Sequence, residues 1–371
     1  MNFNINTFKK YAFGIIILLL LGIVSLLIQT KPNTSRLNKT IEEKVDISQS
    51  LKELRWIKAT TTIAWSPRDA QSVVTWNNSL WLIGGLEGND VVTVNGTVEY
   101  WNAPHKSDIW KSEDGLNWTL VTDNAPWRNR RSVSSVSFQD KMWVMAGWDQ
   151  YNYKYTNDIW YTTDGLKWNL ATSTTPRWQG REGQTTIVHN GKLWLMGGVN
   201  FTERKTLNDI WFSDDGYNWQ QSTSTVPWSP RYDHALSSFK GRLYLTGGVH
   251  LNTHETDAEV WVSENGFDWE KRTPNWPSRH GHISLVYKDH LWMIGGWHQE
   301  DSGKNYGIND TWFTDDGINW TKVTADGPWT GREDHMGDVF KNKMWLTGGM
   351  DTNERWSNDV YYTEIPNTPV L

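Results

Sequence analysis

The sequence predicts an all-β fold, a ring of six four-stranded blades, and three observations carry that prediction. Tryptophan is the first: the 371-residue chain holds 27, most of them on a lattice that recurs about every fifty residues. The second is that each period repeats the same aromatic slots. The third is that each period reads as four short strands with tight turns between them, the pattern of a propeller blade.

Four slots define the lattice. One tryptophan precedes an arginine by three residues, as in Trp65/Arg68, Trp127/Arg130, Trp178/Arg181, Trp228/Arg231, Trp276/Arg279 and Trp329/Arg332. A second aromatic, at Trp81, Trp143, Trp194, Tyr244, Trp292 and Trp345, lies in an apolar run that leads to a glycine pair, as in Leu80-Trp81-Leu82-Ile83-Gly84-Gly85. A third follows an acid by two residues: Asp108, Asp158, Asp209, Glu259, Asp310 and Asp359 precede Trp110, Trp160, Trp211, Trp261, Trp312 and Tyr361. The fourth closes a turn at Trp118, Trp168, Trp219, Trp269 and Trp320.

Runs such as Ser135-Val136-Ser137-Phe138 and Met142-Trp143-Val144-Met145 have strand length and strand residue preference. Asn190-Gly191 and Asp114-Gly115 mark turns between them. The sixth unit lacks its fourth tryptophan after Val360-Tyr361-Tyr362-Thr363, whereas Leu54-Arg55-Trp56-Ile57 supplies a spare strand with Trp56 in the vacant slot. An N-terminal strand that completes the last blade removes an open sheet edge. The propeller is expected over residues 51–364, with a C-terminal tail at 365–371.

The glycine pair, the following aromatic and the later tryptophan resemble kelch repeats over roughly residues 51 to 364. Seven residues separate Trp110 from Trp118, where the kelch pattern has six. The turn Ser112-Glu113-Asp114-Gly115-Leu116-Asn117-Trp118 also resembles the Asp-box of sialidases, but lacks the residue between Asp and Gly. The family resemblance extends distantly to the bacterial kelch-type N-acetylneuraminate epimerases. It implies arginine and acid/base groups at a channel mouth that interconvert sugar anomers.

Cysteine is absent, which excludes a disulfide framework, thiol catalysis and a lipid-modified cysteine. Radical copper oxidases on a kelch-type propeller use a Cys-modified tyrosine, so the composition argues against that chemistry too. The net charge of −6 and the lack of basic runs in the repeats argue against nucleic-acid binding. Residues 11–28 are uncharged and rich in Ile and Leu, long enough for one transmembrane helix that acts as an uncleaved signal anchor. Lys9 and Lys10 favour a cytoplasmic N-terminus at residues 1–10, with a tether at 29–50. The expected location is therefore membrane-anchored, with a monomeric propeller in the periplasm or outside the cell.

In an up-and-down blade with strands a to d, the d-to-a and b-to-c connections share one face. That face carries Arg68, Arg130, Arg181, Arg231, Arg279 and Arg332, which either bind ligand with Arg131 or pair with the six strand-c acids. Once Trp76 is set in the strand-end aromatic slot that it shares with Phe138, Phe239, Tyr287 and Phe340, four tryptophans fall off the lattice, Trp101, Trp148, Trp297 and Trp356, all expected in b-to-c loops of that face as ligand-binding aromatics or as loop packing. The residues just after each arginine differ between blades: Asp69, Arg131, Glu182, Tyr232, Asp233, His280, Glu333 and Asp334. Asp69, Glu182, Tyr232, His280 and Glu333 are the catalytic candidates, because carboxylate, imidazole and phenol groups move protons. His234, His282 and His335 match the kelch Arg-x-x-His pattern and are expected as hydrogen-bonded channel residues.

His250, His254, Glu255, His298 and Glu300 lie in neighbouring loops, but no metal or other cofactor is expected from them. The function expected is recognition of a carbohydrate or a protein partner on the arginine face. A sugar-modifying enzyme and an assembly scaffold are the alternatives.

Overall fold

The computed structural model describes residues 49–59, 63–88, 93–94, 97–98, 102–173, 175, 177–222, 226–300 and 302–366. Its strands lie in one compact unit, Lys52–Pro366. Among the described residues each sequence period forms one antiparallel blade sheet, five of them four-stranded and that of blade 1 five-stranded because the short strand Arg68–Asp69 joins its edge. In blade 1 strands a to d are Ser72–Trp76, Ser79–Glu87, His105–Ser112 and Trp118–Thr122. The innermost strands of blades 2 to 6 are Ser134–Phe138, Thr185–His189, Ala235–Phe239, Ile283–Tyr287 and Met336–Phe340.

Strand b is the buried heart of each sheet. Ser79–Glu87 is buried at every position because neighbouring blades cover both its faces, which explains its continuous apolar run. The hydrophobic core therefore sits between blades, for example where Trp143 and Met145 of blade 2 meet Trp178, Leu193 and Trp219. Adjacent inner strands are also tied by side chains: Ser72 Oγ to Ser135 Oγ at 2.7 Å, Ser237 Oγ to Ser284 Oγ at 2.8 Å, and Thr75 N to Asp338 Oδ2 at 2.6 Å.

The aromatic lattice has a function in each position. The tryptophan before the arginine meets the strand-d tryptophan edge to face, as in Trp65/Trp118 at 4.7 Å and Trp178/Trp219 at 4.6 Å. The strand-b indoles donate to the end of strand a, as Trp81 does to Trp76 O at 3.0 Å. The Asp-Gly turns lock successive blades together. A Cβ on Gly165, whose φ is +76°, would lie 2.3 Å from the Trp81 ring of the preceding blade, so that turn accepts glycine alone.

Blade 6 closes as the tryptophan count requires. Arg55–Lys58 pairs antiparallel with Val360–Glu364, aligning Trp56 with Thr363. Trp56 meets Trp329 at 5.2 Å and 86°, and its Nε1 donates to Thr311 Oγ1 at 3.0 Å.

One part of the expected fold class is corrected. Among the described residues no helix is long and apolar enough to cross a membrane. The helix they contain is a single turn at residues 49–52, about 6 Å long at the α-helical rise, against the roughly 30 Å of a bilayer core. Among the described residues the fold class is therefore all-β, with no transmembrane helix. The span expected at 11–28, the N-terminal segment 1–10 and nearly all of the tether 29–50 lie outside the described residues.

Trp56 is 6 % exposed. Trp56→Ala should lower unfolding free energy by about 3–5 kcal/mol, as large-to-small substitutions in cores do. Denaturant melts will measure this, and deletion of residues 54–58 should add concentration-dependent aggregation through the bared Val360–Glu364 edge.

Candidate functional site at the channel mouth

Each lattice arginine is a buried clamp. The six are 0–3 % exposed. Arg68 Nη1 and Nη2 reach Asp108 at 2.6 and 2.9 Å, and Arg279 reaches Asp310 at 2.6 and 3.1 Å. Arg130, Arg181 and Arg332 hold Asp158, Asp209 and Asp359 in the same way, and Arg231 holds Glu259 and Asp257. Five also donate to the first carbonyl of the glycine pair, as Arg68 does to Gly84 O at 3.0 Å; Arg130 uses Ala146 O at 3.2 Å. The acid's other partner is the lattice indole, Trp110 Nε1 to Asp108 Oδ2 at 2.8 Å. Burial pushes Asp158 and Asp209 upward, but the hydrogen bonds and charge of their arginines outweigh it and hold both carboxyls below their usual range. These guanidiniums are engaged by partners within their own blades.

The residue after each arginine faces the other way. The glycine pair breaks register, seen between Ile83 and Gly85, and bends strand b back over the arginine segment. Arg68 then pairs with Glu87 and Asp69 with Leu86. The equivalent pairings join Arg131 to Trp148, Glu182 to Val199, Tyr232 to Val249, His280 to Trp297 and Glu333 to Met350. Extended neighbours alternate sides, so burying the arginine sends the next side chain toward the axis.

The second residue after each arginine narrows the channel. Ala70, Ser132, Gly183, Asp233, Gly281 and Asp334 all have φ between 50° and 63°. Their backbones form a hydrogen-bonded iris: Ser132 N to Ala70 O, Asp233 N to Gly183 O, Gly281 N to Asp233 O, Asp334 N to Gly281 O and Ala70 N to Asp334 O, at 2.8–3.2 Å. Between Ser132 and Gly183 the Gln184 amide reaches Ser132 O at 3.3 Å. Below the iris lies an axial cavity of ≈ 190 Å³. Next to it His234 and His282 meet Thr185 and Thr246 hydroxyls at 2.8 and 2.9 Å, and His335 meets Ile294 O at 3.1 Å. Burial pushes His234 down to about 3 and His335 to about 4, so both rings are neutral.

Above the iris a cavity of ≈ 340 Å³ gathers all eight irregular residues, Asp69, Arg131, Glu182, Tyr232, Asp233, His280, Glu333 and Asp334. All five catalytic candidates are thus brought together. Arg131 forks onto Glu182 at 3.0 and 3.1 Å. His280 Nδ1 lies 3.6 Å from Glu333 Oε2. Phe201 and Met350 complete the lining, and Phe201 packs edge-on against Tyr232 at 5.5 Å. Sequence reading missed both; Met350 follows a glycine pair, which was the available signal.

Five carboxyls face one arginine here, and their acidities show the strain. Burial, reinforced by the Asp334 charge, pushes Asp69 up to about 8. Burial raises Asp334 to about 6. Asp233 and Glu333 rise well above the usual carboxylate range through burial and then through the neighbouring acids. Burial pushes His280 down to about 4. Near neutrality the mouth holds protonated carboxyls beside ionised ones and a neutral imidazole.

The three described off-lattice tryptophans are not a flat exposed patch. Trp148 is 5 % exposed and lies on strand Trp148–Asp149, and Trp297 lies on strand His290–Gln299. They share the slot after the glycine pair rather than belonging to loops. Trp356 is half-buried against Gly88, and its indole acts to lower the pKa of the Asp69 carboxyl. Trp101 lies outside the described residues. Of the loop histidines, His250 engages Pro230 O and Asp257, and His298 engages Ser278.

Two measurements separate scaffold from site. Arg279→Ala leaves Asp310 buried without its partner and should lower stability by about 3–5 kcal/mol in denaturant melts. Asp69 gives the opposite sign. Its folded pKa of about 8 exceeds the ordinary 3.8, so the native state holds the extra proton and stability falls as pH rises from about 4 through about 8. Asp69→Asn should match the wild type near pH 4 and melt a few degrees higher at pH 8, on the order of 2 kcal/mol.

No protein-family model matches the chain, and no curated relative matches its sequence. The solved structure of YjhT is similar over 81 % of this chain and 95 % of its own, with a TM-score of 0.63 and 16 % sequence identity. A likeness at that identity shows a shared propeller fold and nothing further.

Proposed function

We propose that this protein is a carbohydrate-recognition propeller that takes one sugar unit, uncharged or basic, into the mouth above the iris. The supporting observation is the make-up of that ≈ 340 Å³ cavity: carboxyls, a phenol and an imidazole on its walls, with Phe201, Tyr232 and Met350 as apolar surface. Carboxyl groups in both protonation states donate to and accept from vicinal hydroxyls, and aromatic walls suit the C–H faces of a pyranose. The kelch-type epimerase resemblance points to an acidic sugar. The electrostatics speak against one, since Arg131 is already forked by Glu182 and the six lattice arginines are buried and engaged by partners within their own blades. A protein partner and an assembly scaffold are the less favoured readings, because the described off-lattice tryptophans are buried or half-buried.

Acid/base chemistry on the bound sugar is the second reading, and one observation favours it. Anomer exchange needs one group to protonate the ring oxygen as its bond to C1 breaks, while another takes the proton of the anomeric hydroxyl as the C1 carbonyl forms. The mouth offers a carboxyl protonated to about 8 at Asp69 and one ionised above about 6 at Asp334.

Saturation-transfer and exchange NMR with neutral, amino and acidic hexoses tests both. Binding should favour neutral and amino sugars and weaken at least tenfold in Glu333→Gln. Preferential binding of acidic sugars would overturn the proposal. If exchange is catalysed, its rate should follow a bell bounded near pH 6 and pH 8, and a flat profile would remove the enzymatic reading.

A further inference from the structure

The mouth does not end at the axis. A second cavity of ≈ 290 Å³ shares Tyr232, His280, Glu333 and Met350 with it, so the two adjoin across those side chains. This side groove runs outward among the top segments of blades 4, 5 and 6. Its blade-5 wall is the hairpin His290–Gln299 and Asn305–Thr314, the longest strand pair in the ring, whose pairing continues past the glycine bulge to Gln299 and Asn305.

Trp297 is the anomaly in that wall. The residue after the glycine pair is Leu86, Trp148, Val199, Val249 and Met350 in the other blades, each 7 % exposed or less. At Trp297 the slot is occupied by a large ring that is half-buried rather than fully buried and lines the groove. The Gln299 and Asn305 amides border the same cavity, with Thr352 and Glu354 on the blade-6 side. An aromatic plate rimmed by amide and hydroxyl groups is the composition that holds a pyranose through its C–H face and its hydroxyls.

We propose that the ligand is an oligosaccharide of at least two units, bound by its end, with the terminal unit in the mouth and the next stacked on Trp297. The end is specified because the backbone iris bars threading down the axis, and the adjoining groove offers the next unit a place beside the mouth. This inference rests on the mouth being a sugar site.

The test uses arrayed neutral, amino and acidic glycans of one to four units, followed by calorimetry on the retained series. Affinity should rise tenfold or more from one unit to two. Trp297→Ala should abolish that rise, so that two units bind no more tightly than one. Gln299→Ala, on the hairpin surface, should reduce it several-fold and serves if circular dichroism shows Trp297→Ala unfolded. Single-unit binding without a length gain would overturn the groove and leave the mouth standing. Retention of no glycan at any length would overturn both.

Discussion

The buried arginine–carboxylate clamp is the interaction on which the rest of the molecule depends. One side chain joins three segments of its blade: the d-to-a connection that carries it, the strand-c acid and the carbonyl at the strand-b bulge. Two buried charges are expensive to desolvate, and the clamp is stable because its geometry is bidentate and its spare acceptor is taken by an indole. Repeated six times, it aligns every connection at the same height around the axis.

That alignment creates the site as a consequence. In an extended segment consecutive side chains point to opposite sides, so an arginine locked into the blade places its successor at the mouth. The next residue turns into the left-handed region and joins the iris. Scaffold and chemistry are therefore one residue apart. Asp69, Arg131, Glu182, Tyr232, His280 and Glu333 differ freely because their neighbours alone hold the ring.

The mouth is held at a loss. Buried carboxyls that repel one another would separate or ionise freely in solution; here the iris and the clamps fix them. Strain concentrated in one cavity while the surrounding blades are densely packed is the usual economy of a binding or catalytic centre. It also explains why Asp69 and Asp334 are weaker acids than usual while Asp158 and Asp209 are stronger: the scaffold acids each own a guanidinium, and the mouth acids share one.

Much of this was legible in the residues. The spacing of Trp65, Trp127, Trp178, Trp228, Trp276 and Trp329 implied six blades, and the missing strand-d tryptophan after Tyr361 implied that Trp56 closes the ring, because aromatic burial repeats with the sheet. The irregular residues beside the arginines were separable from the lattice for the same reason. What the sequence could not decide was direction and company. Both roles of the arginines were open until their partners were located across 27 to 40 residues of chain. Trp148 and Trp297 looked alike as loop tryptophans, yet they occupy one slot and differ in what packs over them. Phe201 and the iris had no signal, since local pattern records which face a residue takes, and only the closing of the ring determines what it meets there.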